Sequence, residues 1–131
     1  MFIMTTTSVL ITCSPEALNT SLNALAFCEE LAKQSAINHV FFYQQGVLQA
    51  NGMIAPGTGD IHLPSRWAAL AKQYGFPLHV CVGAATKRGI VDETQAEELG
   101  LAQSTLHAGF EQVGLGEFFT ALHQSDKMVQ F

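Results

Sequence analysis

The sequence predicts a single α/β domain: an open, mostly parallel sheet of about five strands with helices on both faces. Three observations carry this. Strand-like and helix-like patterns alternate along the chain, at spacings that suit right-handed βαβ units. The run HVFFY (39–43) is apolar on both faces, as a strand of a parallel sheet must be. The 131 residues are enough for one domain with a real core.

The elements follow in order. TSVLIT (7–12) is a β-branched first strand. Ser14 and Pro15 then read as a helix start, a side-chain cap followed by proline at the first helical position. Leu18, Leu22, Leu25, Cys28 and Ala32 recur at helical spacing, which makes Cys28 a core residue. HVFFY is the second strand. The stretch QQGVLQANGMIAPGTGD that follows is glycine-rich and reads as a loop. Trp67, Leu70, Ala71 and Tyr74 mark the next helix, closed by Gly75. LHVCV is the third strand, and residues 82–88 then form a short helix stopped by Gly89. Asp92 with Gln95 has the form of a capping pair opening a helix that ends near Gly100. Residues 101–113 are ambiguous. Leu115, Phe118, Phe119 and Leu122 form a last amphipathic helix before DKMVQF as a terminal strand.

Composition excludes several function classes. The three cysteines, Cys13, Cys28 and Cys81, include no C-x-x-C pair, and the five histidines are scattered without helical pairing, so a metal site is not expected. Net charge is −5 with only six Lys and Arg residues, which leaves no cationic surface for a phosphate backbone. Gly52 and Gly57 have phosphate-loop spacing, but Thr58 stands where the lysine belongs, and Gly57-Thr58-Gly59 lacks a third glycine. No cofactor is therefore expected, and the segment from Gly46 to Pro64 reads as a mobile surface loop beside the reactive edge, gating partner access. The first twelve residues lack a basic region and no apolar run approaches a membrane span, which points to the cytoplasm. Charged residues make up 13% of the chain against roughly 25% in an ordinary soluble domain. An assembly that covers part of the surface is the expected consequence.

Chemistry in such sheets gathers at the carboxyl ends of the strands, and Cys81 lies there. Gly83, Ala84 and Ala85 are small enough to leave the backbone donors of the following helix reachable, and Lys87 and Arg88 add positive charge nearby. Thiolate is the nucleophilic form of cysteine, so these features favour a reactive sulfur. Buried strand cysteines are also common as inert packing, and the residues alone leave both readings open. His79 shares a strand face with Cys81, but two residues along a strand is about 7 Å, too far for a general base in contact. Asp92 and Glu93 are better explained as helix-start carboxylates than as an acid/base pair. Cys13, after the first strand, faces the same edge and is a possible nearby thiol. It has no neighbouring cation, and Pro15 removes one donor from the helix that follows it.

Five blocks carry a family resemblance: VFFYQQGVLQAN (40–51), HVCVGAATKRGIVDE (79–93), LGLA (99–102), GFEQVGLGEF (109–118) and DKMVQF (126–131). In order and spacing they resemble the TusD/DsrE family of sulfur-relay proteins. The resemblance implies a sulfurtransferase whose persulfide-bearing cysteine is Cys81. It also implies TusB- and TusC-like subunits in a heterohexamer, a TusA-like sulfur donor and a TusE-like acceptor, with the 2-thio group of the tRNA wobble uridine as end product. A DsrE-type role in sulfur oxidation, a noncatalytic assembly subunit and a small-ligand-binding subunit are the alternatives. Gly83 and Lys87 depart from the alanine and arginine of the family pattern, leaving donors and charge in place.

Overall fold

Five short strands pair into one sheet in the computed structural model of the chain, which describes residues 5–55 and 61–131. The elements are β1 (Thr6–Ile11), α1 (Leu18–Gln34), β2 (Ala36–Phe42), a 3-10 helix (Gln44–Ala50), α2 (Leu63–Tyr74), β3 (Leu78–Cys81), α3 (Val82–Lys87), α4 (Glu93–Glu98), β4 (Glu111–Val113), α5 (Leu115–His123) and β5 (Lys127–Gln130). The strand order is β4-β3-β2-β1-β5, and every neighbouring pair is parallel.

This order decides which face each helix covers. The steps from β1 through β4 run one way across the sheet, so right-handed connections put α1, α2 and the α3–α4 pair on one face. The return from β4 to β5 runs the other way and puts α5 on the opposite face. Alternation along β2 agrees. Phe42 meets Trp67 of α2 with ring centroids 5.3 Å apart, whereas Phe41 meets Phe118 of α5 at 4.4 Å. Val9, Ile11, Val40, Phe41, Phe42, Val80 and Trp67 are wholly buried and form the centre of the core.

Two local readings need correction, and one open stretch is resolved. Helix α1 begins at Leu18, not beside Ser14. The Ser14 hydroxyl accepts from Glu16 N at 3.2 Å and its carbonyl accepts from Ala17 N at 2.9 Å, so Ser14-Pro15 builds a turn that competes with a cap. The stretch after β2 is not a mobile loop in its first part. Gly46, Val47, Gln49 and Ala50 are buried in the 3-10 helix, packed against β3 and α3. Gly57-Thr58-Gly59 lies outside the described residues. The ambiguous stretch 101–113 is tied down by backbone bonds: Gly52 N donates to Thr105 O at 2.7 Å and His107 N to Ala50 O at 2.8 Å. Its last three residues alone pair into the sheet, as edge strand β4.

The capping pair forms as the sequence predicts. Gln95 N donates to Asp92 Oδ1 at 2.8 Å, and Asp92 N donates to Gln95 Oε1 at 3.2 Å. Removing the side-chain acceptor in Asp92→Ala is expected to cost about 1 kcal/mol, read as a lower urea midpoint with unchanged slope.

Candidate functional site

The apolar run of β3 ends at Cys81, which is also the residue that caps α3. The helix starts immediately because Gly83-Ala84-Ala85 places little bulk in its first turn, and it stops where Gly89 takes a left-handed φ of 76°. Cys81 itself is 5% exposed. Its side chain makes no capping bond to α3, so the first-turn N–H groups keep donor capacity for another group. Above it the surface is open. Val82 and Gly83 are exposed, and a Cβ built on Gly83 meets no atom within 4 Å. Ala84 and Ala85 point inward and are buried. The result is a thiol just beneath an accessible helix start.

Lys87 and Arg88 do not join it. They lie at the other end of α3, about 9 Å along the helix from Cys81 at 1.5 Å per residue. The Arg88 guanidinium donates to the Ala84 carbonyl at 3.1 Å. Their charge complements the carbonyl end of α3. His79 is likewise engaged elsewhere, with its Nδ1 3.5 Å from Nδ1 of His39.

Cys13 sits past the end of β1, with β2 between its strand and β3. At 4.8 Å per strand spacing the two strand axes are roughly 10 Å apart. Its environment is a polar knot. Gln49 Nε2 donates to the Cys13 carbonyl at 3.0 Å and to Ser21 Oγ at 3.1 Å, and lies 3.4 Å from Cys13 Sγ. Trp67 Nε1 donates to Gln49 Oε1 at 2.7 Å. Gln49 is fully buried and joins the 3-10 helix to α1, α2 and the end of β1. Sequence reading missed it because a glutamine in a glycine-containing stretch looks solvated. Cys28 is buried in α1, and burial pushes its thiol up to about 12, which keeps it protonated and inert.

Among the described residues, no group of three or more His, Cys, Asp or Glu is placed to hold a metal ion. No described helix is long and apolar enough to cross a membrane. Two clefts of about 670 Å³ are present, and Cys81 lines neither. One is bounded by Met53, Ala96, Glu97 and Leu101, the other by His39, His79 and Glu117.

Comparison with known proteins identifies the family and the fold. The family model described as DsrE/DsrF-like matches residues 7–131. The chain belongs to the DsrE/DsrF-like family. It is 46% identical over 101 residues to the sulfurtransferase TusD of Proteus mirabilis, covering 77% of this chain and 78% of that one. It is 41% identical over 112 residues to a sulfurtransferase TusD homolog of Aliivibrio fischeri, covering 85% and 86%. The crystal structure of the YchN protein from E. coli superposes with a TM-score of 0.75 at 18% identity, covering 98% of this chain and all of that one. That likeness shows the fold. The fold is thus shared with that structure, and the relatives with the higher identities are sulfurtransferases by name.

Proposed function

We propose that this chain is a sulfurtransferase that carries sulfur as a persulfide on Cys81 within a sulfur relay. The observation that carries the reading is the placement of Cys81: a thiol at the carboxyl end of a central strand, beneath an open, uncapped helix start, in a chain 46% identical to a TusD. The Cys81 thiolate attacks the outer sulfur of a donor persulfide. A new S–S bond forms, the donor's S–S bond breaks, and the donor leaves as a thiolate that takes up a proton. An acceptor thiolate then attacks the outer sulfur on Cys81 and regenerates the Cys81 thiolate. No net oxidation occurs, so neither step needs a metal or redox cofactor. First-turn N–H groups of α3 are suited to stabilise the anionic sulfur at each stage.

The relay assigned to the chain is cytoplasmic thiolation of the tRNA wobble uridine, with a TusA-like donor and a TusE-like acceptor. The net charge of −5 fits a carrier that hands sulfur to proteins and does not itself meet the tRNA. The test is transfer of labelled sulfur from a small-molecule persulfide to the purified chain and onward to an acceptor thiol. Stoichiometric uptake followed by release to the acceptor supports the reading. A chain that takes up no label overturns it.

A hetero-oligomer with TusB- and TusC-like subunits is the expected working form. The face covered by α5 carries exposed Phe119 (53%), Met128 (45%) and Leu115 (40%), apolar surface that a partner subunit removes from water. Light scattering on the pure protein at micromolar concentration should give a homo-oligomer, and adding the two partner chains should give a hexamer. A stable 14.1 kDa monomer that binds neither chain contradicts this.

A further inference from the structure

His39 has no role in the reaction above and is hard to explain as packing alone. It sits in the apolar centre of β2 and is 1% exposed. Its Nδ1 faces Nδ1 of His79 at 3.5 Å, while its Nε2 is buried with no hydrogen-bond partner. A contact between two ring nitrogens holds one proton. If that proton belonged to His79, the proton of His39 would lie on Nε2 as a buried N–H with no acceptor. If it belongs to His39, Nε2 is left as a bare acceptor, the less costly orphan. The geometry therefore puts the His39 proton on Nδ1 and the His79 proton on Nε2, with both rings neutral.

Another proton is costly here wherever it goes. On the contact it sets two N–H groups against each other or, carried by His79 Nδ1, drives the His39 proton onto the unpartnered Nε2; on His39 Nε2 itself it buries an unpaired charge. What rests on the pair is α5. Phe118 is the buried residue of that helix, and it stacks on His39 at 5.7 Å with the ring planes 20° apart. The residue before His39 holds the helix end, because Asn38 Nδ2 donates to Ala121 O at 2.7 Å and to Ser125 Oγ at 3.0 Å.

We propose that the His39–His79 contact is a pH-sensitive latch, holding α5 on the sheet at neutral pH and releasing it in mild acid. The groups facing it are few. From β3 there is His79, from α5 Glu117 in the shared cleft, and from β4 Glu111, the register partner of His79. On β1 the register partner of His39 is Ser8, which carries no charge. Burial first, and the neighbouring His79 second, push the His39 imidazole down to about 4. When α5 lifts away, the ring meets water and regains its ordinary value near 6.5. The latched form thus binds fewer protons than the released form. Its advantage is complete above about pH 6.5 and is lost as pH falls from there towards 4.

The experiment is amide hydrogen exchange on the full chain near pH 7 and near pH 5, corrected for intrinsic exchange rates, with α1 as internal reference. Between those two values α5 should lose about 20-fold in protection, the factor set by values of 6.5 and about 4. His39→Phe, which removes the titrating ring, should abolish the difference; if that variant fails to fold, His39→Gln serves the same purpose. Glu117→Gln should leave the difference in place. Protection of α5 that never falls below that of α1, a loss in α5 that survives removal of His39, or one that disappears in Glu117→Gln would each overturn the latch. None of these readouts depends on sulfur transfer.

Discussion

Gly46→Ala is expected to destabilise the protein by roughly 3 kcal/mol or more, although it adds a single methyl group. A Cβ at Gly46 falls 2.0 Å from the Ile11 carbonyl oxygen and 3.1 Å from Cα of Thr12. Both are backbone atoms at the end of β1. The carbonyl cannot retreat cheaply, because it accepts from Tyr43 N at 2.9 Å and so joins β1 to the residue after β2. Relief requires the 3-10 helix to lift. That movement strains the bonds from Gln49 to Ser21, to the Cys13 carbonyl and to Trp67, all of them part-buried or buried. Gly83→Ala is the matched control. A Cβ there meets nothing within 4 Å, and alanine favours helix, so its stability should stay within about 0.5 kcal/mol of the parent. Urea denaturation followed by tryptophan fluorescence checks both, since the single tryptophan, Trp67, is bonded to Gln49. Equal midpoints for Gly46→Ala and Gly83→Ala would show that the close approach carries no energy.

Cys81→Ser is expected to reduce sulfur transfer to the level seen without protein, while leaving the urea midpoint close to that of the parent. A serine hydroxyl cannot carry an outer sulfur. The substitution is nearly isosteric, and the Cys81 side chain makes no capping bond to lose. Cys13→Ser is expected to keep most of the transfer. The Cys13 sulfur lies beside Gln49 and Ser21, and its strand is separated from β3 by β2. Cys28 should resist alkylation in the folded chain under conditions that modify Cys81, because burial holds its thiol at about 12. Transfer that survives Cys81→Ser and fails in Cys13→Ser would reverse these roles.

The elements that sequence reading located are those with local causes. The apolar run at 39–42, the helix stop at Gly75 and the Asp92–Gln95 pair each depend on residues within one or two turns of chain, and each is found where expected. The readings that failed depend on distant partners. QQGVLQA looks like a loop because nothing nearby shows that Gly46 must pass against Ile11 or that Gln49 bonds Trp67. The short strand Glu111–Val113 is an edge of three residues, too brief for alternation to register. At the candidate site, the strand-end position of Cys81 and the small-residue helix start were legible. The distance of Lys87 and Arg88 from the sulfur was legible too, because a helix over residues 82–88 puts both at its carboxyl end, away from Cys81; reading them as neighbours of the thiol took closeness in sequence for closeness in space. The His39–His79 contact joins residues 40 apart in the chain and could not be read locally.

The most direct test of the account is to locate the sulfur. The chain is incubated with a persulfide donor, free thiols are blocked, and the protein is digested without reductant so that each cysteine peptide can be weighed. The account predicts an added sulfur atom on the peptide containing Cys81, and none on those containing Cys13 or Cys28. Added sulfur on the Cys13 peptide, with Cys81 recovered only as the blocked thiol, would contradict it.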